Sequence, residues 1–350
     1  MKRKKIAVLF GGCSPEYNVS ISSAGSVVSS LDGELFEAVL IGITRDGNWY
    51  RYYGGIEKIA TDEWHLCEED CVRAVLAPDR DIHGILEWKD GKAVMTRIDA
   101  AFPVLHGKNG EDGSVAGLLE LAGIPVVGCG ILAGALCMDK ARSKKLITGI
   151  GIESPKGFVI GRNDTDREIF EFMGNLSYPV FVKPVNAGSS FGITKVYREE
   201  DLSAAIKTAF EFDNEAIIEE NVDGFEAGCA VIGNDELITG YVDEIELFVD
   251  WFDYHEKYSQ KKSKIHTPAR LDDNLADEIK EAAKKIYRAL GCCGFARVDM
   301  FLTKEGKILF NEVNTIPGLT SISRFPKMMR GAGYEFSELL TKLIELGMER

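Results

Sequence analysis

The chain has no basic excess. Its 350 residues hold 41 Lys and Arg against 55 Asp and Glu, a net charge of −14. A polyanionic partner needs a net basic face, so a general nucleic-acid binder is excluded, while a local basic pocket for a small anion is not. A long uninterrupted apolar run is also missing. Residues 121–138 pass 18 positions without a charge, at the threshold of a membrane span, but Pro125 and four glycines interrupt them. They read as strand, turn and helix, and no membrane partner is expected. Four basic residues follow Met1, as in a secretory leader, yet the apolar stretch over 6–10 stops at Gly11 and Gly12. That is too short for a leader core, and a cytoplasmic location is expected. The eight cysteines, at 13, 67, 71, 129, 137, 229, 292 and 293, lack zinc-site spacing and read as small buried hydrophobes. Internal repeats and low-complexity segments are absent. The rest of the composition, 45% hydrophobic and 27% charged, is globular, and the length suggests about two domains.

From residue 5 the pattern alternates between strand and helix. An apolar strand over 5–10 ends in Gly11 and Gly12, a small-residue helix covers 20–31, and a second strand covers 36–44. A strand over 100–105 ends at His106 and a glycine-rich turn, before a helix near 115–121 and a strand over 124–127. This order predicts an α/β domain with a doubly wound parallel sheet, whose ligands sit beyond the carboxyl ends of the strands. Segments 11–16 and 106–113 fall there. Residues 50–97 read as an irregular insertion of hairpins and turns.

Beyond about 139 the pattern becomes α+β. A basic helix covers 140–147, strands cover 179–184 and 193–196, a helix covers 201–210, and long strands cover 215–219, 226–232 and 236–248. Residues 249–268 are polar, aromatic and lysine-rich without a period, which marks a long functional or disordered loop. Leu275, Ile279, Ala283, Ile286 and Leu290 recur at helical spacing. Strands over 296–302 and 308–313 flank a turn at 304–307, and a last helix carries Phe336, Leu340, Leu343 and Ile344.

Four constellations carry chemistry. Lys183 ends a strand before the flexible loop through Gly188 and Gly192, where backbone amides can wrap phosphate oxygens and a lysine adds a point charge. Arg297 and Asp299 are two apart on one strand, as are Glu312 and Asn314 on the next, so each pair shares a face. If the strands pair across the turn, Asp299, Glu312 and Asn314 converge as hard oxygen ligands suited to Mg²⁺ bound with phosphates. The alternative is a solvent-facing ion pair, which the apolar flanks disfavour. In the stretch 317–323, the Gly318 amide can face an oxyanion beside Arg297, and the serines can hold a carboxylate. Residues 11–16 form a strand-to-helix junction where helix amides favour an anion and Glu16 can clamp an ammonium.

Together the segments GGCSPEYNVS (11–20), HGKNGEDG (106–113), MDK (138–140), KPVNAGSSFG (183–192), RVDMF (297–301) and NEVNTIPGLTSISRFP (311–326) resemble the D-alanine–D-alanine ligase family. Within it the chain is most similar to the D-alanine–D-serine ligases of vancomycin resistance. The resemblance implies an ATP-grasp fold, divided as a Rossmann-like domain over 1–128, a central subdomain over 129–217 and a C-terminal subdomain over 218–350 that carries the loop 249–268. It implies ATP and two Mg²⁺ (Mn²⁺ as substitute), D-alanine and D-serine as substrates, a homodimer, and cell-wall precursors ending in D-Ala-D-Ser.

The implied roles are specific. Lys140 and Lys183, with Lys257, Ser190 and the serine loop, would contact ATP phosphates. Glu219, Val222 and Glu226 would face adenine and ribose. Asp299, Glu312 and Asn314 would hold the metals. Arg297 and the Gly318 amide would stabilise the acyl phosphate and the tetrahedral intermediate. Glu16 would bind the first ammonium and Ser321 or Ser323 the second carboxylate, with His106 on the substrate side. Glu16, Ser189 and Tyr258 would form a triad closing the loop. Tyr258 stands where D-lactate-using relatives carry histidine, which points to an amine nucleophile, and Asp243, Phe252 and Arg324 would shape the pocket for a serine hydroxyl. The chain departs from the family at Tyr17, where His or Arg is usual, at Ala116, where Gln is common, and at Glu220, where some relatives have lysine. Alternatives are a housekeeping D-alanine–D-alanine ligase and, remotely, a nicotinamide-dependent oxidoreductase, whose G-x-G-x-x-G fingerprint is absent after the first strand. A regulatory nucleotide-binding module would leave the set of Arg297, Gly318 and metal ligands unexplained.

Overall fold

A computed structural model describes residues 2–188, 190–247 and 263–350. Its N-terminal unit is a seven-stranded sheet built from β1 (Lys4–Gly11), β2 (Phe36–Ile43), β3 (Trp49–Tyr52), β4 (Cys71–Leu76), β5 (Gly84–Lys89), β6 (Lys92–Arg97) and β7 (Ala100–Pro103). The order is β6-β5-β4-β3-β2-β1-β7. The three strands β2, β1 and β7 are parallel, and they are the apolar, doubly covered ones that periodicity finds. Residues 50–97 are not an irregular insertion: β3 to β6 extend the same sheet by antiparallel hairpin steps. Their alternation is masked because β6 is an almost wholly exposed edge strand and β5 buries Glu87, which accepts from Tyr53 and Thr96. The expected strand over 124–127 is reduced to one bridge between Ala101 and Val126.

The second sheet holds β8 (Gly157–Gly161), β9 (Val180–Pro184), β10 (Thr194–Val196) and β11 (Glu215–Glu220) in the antiparallel order β10-β9-β11-β8. A division at 217/218 therefore cuts β11, and the sheet ends at Glu220. The third sheet holds β12 (Gly224–Ile232), β13 (Ile238–Leu247), β14 (Ser263–His266), β15 (Phe295–Thr303) and β16 (Ile308–Asn314), in the order β14-β13-β12-β15-β16. The last residues of the expected loop thus form a strand, paired through Glu244 to His266 and fixed by a 2.7 Å contact between His266 and Glu246.

Packing joins these units across the chain. Leu339, Leu340, Leu343 and Ile344 of the helix Phe336–Met348 enter the same core as Phe10, Phe102 and Ala24, so the C-terminal helix covers a face of the N-terminal sheet. Ile279, Ala283 and Ile286 form the buried stripe of the helix Asp273–Ala289 and meet Cys137, Ile147 and Val298. The cysteines are free, and Cys129, Cys137, Cys229 and Cys292 are buried. Among the described residues no helix is long and apolar enough to cross a membrane.

Candidate active site

Three walls face one another across the strand ends. The first comes from the N-terminal sheet. Glu16 stands at the start of the helix Tyr17–Ser30; its amide donates to the Ser14 hydroxyl at 3.0 Å, and that hydroxyl donates to the His106 carbonyl at 2.6 Å. Two glycines press on the Glu16 carboxylate. A Cβ at Gly107 would lie 2.2 Å from Oε2, and one at Gly188 2.6 Å away. Only glycine lets both loops approach so closely, and Gly107 also has φ of 74°. His106 is 5% exposed, with Nε2 3.0 Å from the Ser23 hydroxyl. Burial pushes its imidazole down to about 4, against a backbone bond to Ile316 and with help from Arg297, so it is neutral at pH 7.

Glu111 ties this wall to the C-terminal half, a role that the motif over 106–113 gave no local means to read. Its Oε2 accepts the Gly107 amide at 2.9 Å and its Oε1 the Ile316 amide at 3.0 Å. Burial and the neighbouring Glu16 carboxylate push its carboxyl above the usual range.

The second wall is built from lysines. Lys140 begins the helix Lys140–Gly149, which Asp139 caps by accepting the Arg142 amide at 2.8 Å. Its ammonium donates to the Ala187 carbonyl and lies 3.6 Å from Glu312. One turn on, Lys144 shares that helix face. Sequence reasoning missed it, although its spacing from Lys140 is visible. Lys144 donates to one oxygen of Glu219 and Lys183 to the other at 2.9 Å. Glu219 is 1% exposed, and although burial raises its pKa, the two lysines outweigh that and hold it down to about 2. The Glu219 carboxylate thus lies between Lys144 and Lys183. Val222 lies half-buried in the turn after β11, and Ser190 takes a left-handed φ of 62° in the loop.

The third wall is the hairpin of β15 and β16. The strands pair with Asp299 opposite Glu312 and Arg297 opposite Asn314, so all four side chains share a face. A register shift follows at Asp299/Met300, a bulge beside the site. Arg297 grips Asp299 with contacts of 2.8, 3.0 and 2.6 Å, and the Asn314 amide donates to it at 2.8 Å. Arg324 reaches Asp299 at 3.4 Å and Glu226 at 3.0 Å, and makes two 2.8 Å bonds to the fully buried Asp243. Asp243 and Arg324 are partners of each other beside the acidic hairpin.

Gly318 precedes a tight turn in which the Ser323 hydroxyl contacts the Thr320 hydroxyl at 2.7 Å, while Ser321 is exposed. The Leu319 amide donates to Ser23 at 3.4 Å, which links this turn to His106. Ser189, Phe252, Lys257 and Tyr258 lie outside the described residues. The departures from the family pattern also find places. Tyr17 is core, donating to Asp62 at 2.7 Å; Ala116 lines a cavity behind Glu111; Glu220 accepts the Lys156 amide at 2.9 Å.

Glu111, Lys140, Ala187, Gly188, Glu312 and Asn314 line one cleft. Among the described residues no three Asp, Glu, His or Cys side chains form a metal cage. The donor set is two carboxylates and an amide. These are hard oxygens, too few to enclose a divalent cation and suited to one shared with phosphates.

Family profiles described as D-ala D-ala ligase N-terminus and D-ala D-ala ligase C-terminus match residues 5–129 and 146–345. The chain is 45% identical, over 100% of its length and 96% of the relative's, to a D-alanine–D-alanine ligase of Caldicellulosiruptor bescii. It is 45% identical, over 100% of both chains, to the vancomycin/teicoplanin A-type resistance protein VanA of Enterococcus faecium. The solved structure of the VanG D-Ala:D-Ser ligase from Enterococcus faecalis is similar at 53% identity and a TM-score of 0.92, covering 99% of this chain and 100% of that one.

Proposed function

The chain belongs to the D-alanine–D-alanine ligase family, ATP-dependent ligases of the ATP-grasp fold, and from that premise we propose that it joins D-alanine to D-serine through a D-alanyl phosphate. The observation that carries this reading is the cleft lined by Glu111, Lys140, Gly188, Glu312 and Asn314, with the Glu16 carboxylate pressed against Gly188 on one side and Asn314 donating to Asp299 on the other.

A free carboxylate is a poor electrophile because its leaving group would be oxide. Transfer of the γ-phosphoryl group of ATP to the D-alanine carboxylate oxygen releases ADP and gives an acyl phosphate. The unprotonated amine of the second amino acid then attacks the carbonyl carbon. Phosphate leaves with the electron pair of the broken C–O bond, and the amine proton is lost to solvent. In this reading Glu16 holds the first ammonium, Lys140 and Lys183 face the phosphates, and Arg297 with the Gly318 amide faces the developing oxyanion. Asp299, Glu312 and Asn314 would hold Mg²⁺, which when bound neutralises phosphate charge. His106, neutral and buried, fixes the 318–323 turn through Ser23.

D-serine as the second substrate is supported by the 53% identity to the VanG ligase and by the polar group formed by Asp243 and Arg324. A housekeeping D-alanine–D-alanine ligase is the second reading, favoured by the 45% identity to relatives of that name. Dipeptides formed from an equimolar mixture of D-alanine and D-serine, separated chromatographically across pH, decide between them. D-Ala-D-Ser as the main product is expected. Phosphate release with D-alanine alone that D-serine leaves unchanged rejects the serine assignment, and ATP turnover without any D-amino acid rejects the ligase reading.

A further inference from the structure

Lys144 is buried, and among the described residues its ammonium bonds only Glu219, a carboxylate that also holds Lys183. The two lysines reach Glu219 from different elements. Lys183 is opposite Ile217 in the β9–β11 pairing, so it is the same-face diagonal neighbour of Glu219. Lys144 comes from the helix Lys140–Gly149, one turn after Lys140 and on the same face. Resting on the nucleotide reading above, Lys183 has two competing anions, the Glu219 carboxylate and a phosphate. An ammonium is a compact point charge that changes partner easily, whereas a buried carboxylate stripped of its cation is strongly destabilised.

We propose that Lys144 is a positioning residue for nucleotide binding: it stays on Glu219 so that Lys183 can leave that carboxylate for a phosphate without stranding a buried negative charge. Lys144 touches neither nucleotide nor amino acid and acts through Glu219 alone. Burial, opposed by Glu219 and assisted by Lys183 and Lys140, brings its ammonium down to about 8, still charged at neutral pH.

The test is the affinity of the full chain for ATP with Mg²⁺, by equilibrium dialysis, together with KM for ATP and for D-alanine. Lys144→Met leaves Lys183 as the sole cation on Glu219, and about a tenfold weaker ATP affinity and higher ATP KM are expected, with D-alanine KM within about twofold. Lys144→Arg, which keeps a cation on Glu219, is expected to recover most of the loss. The decisive comparison is made in a Glu219→Gln background, where no carboxylate remains to be stranded and Lys144→Met is expected to change ATP affinity by less than about twofold. That comparison is readable even if Lys144→Met alone does not fold. Unchanged ATP affinity in Lys144→Met, or an equal loss in both backgrounds, overturns the inference. A wild-type chain that binds no ATP overturns the nucleotide reading and this inference with it. A wild-type chain that binds ATP, beside a Lys144→Met chain that binds it equally well, overturns this inference alone.

Discussion

Asp299 and Glu219 are buried carboxylates on two elements of the candidate site, each 1% exposed and each held by two cationic side chains. They are held in different ways. Asp299 takes the planar fork of Arg297 from its own strand, with Arg324 and the Asn314 amide completing its shell. Glu219 takes one ammonium on each oxygen, from a helix and from a neighbouring strand. A fork fixes the direction of a carboxylate, while point charges hold it without fixing where they go next. The hairpin wall is thus set for geometry and the lysine wall for exchange of partners.

The contrast breaks first at Arg297. If the hairpin sets the geometry of the reacting centre, Arg297→Ala lowers kcat by about 10²–10³, as for a lost oxyanion donor, in a dipeptide-formation assay at saturating ATP. A near-wild-type kcat removes Arg297 from that role. The first wall sharpens the comparison because its buried group is kept uncharged. The His106 pKa is depressed from 6.5 to about 4, so the unfolded chain takes up a proton that the folded chain refuses. The stability linked to His106 is complete above about pH 6.5 and is lost as pH falls to about 4, by on the order of 3 kcal/mol. Urea midpoints measured from pH 7 to 4 should show this slope, and His106→Gln should flatten it.

A smaller effect is expected at the lysine wall. Glu219→Gln raises ATP KM by about tenfold and leaves kcat nearly unchanged, where a fixed geometric role would lower kcat instead. The Glu219 pKa is depressed from 4.5 to about 2, so the stability of its clamp is full above about pH 4.5 and lost as pH falls through 2. The smallest effect is at Ser23, whose hydroxyl joins His106 to the 318–323 turn. Ser23→Ala should lower unfolding free energy by about 1 kcal/mol, with kcat reduced less than by Arg297→Ala.

The hairpin wall was legible because its logic is local. Arg297 and Asp299 are two apart, Glu312 and Asn314 are two apart, and a four-residue turn leaves one plausible pairing. The lysine wall was half legible. Lys140 and Lys183 stand in recognisable segments, but Lys144 is an ordinary lysine in a basic helix until the fold brings Glu219 to it from 75 positions away. Glu111 was quoted within its motif and given no role, because its partners are backbone amides four and 205 positions away. Hairpins were expected over 50–97, but that they continue the first sheet was missed for a related reason: an exposed edge strand and a buried Glu87 both defeat a hydrophobic alternation count. Asp243 and Arg324, 81 positions apart, were placed at one pocket by the resemblance, but not as partners of each other.

By itself the amino-acid sequence determined the strand and helix order of most of the chain, the glycine turns, the acidic hairpin and the resemblance to a ligase family. These depend on periodicities and short spacings that neighbouring residues impose on each other. Only the tertiary structure decided which cation meets which carboxylate, how far the first sheet extends, and that the last helix covers the first sheet. A buried charge is settled by whichever partner the packing delivers, and that partner is rarely nearby in the chain.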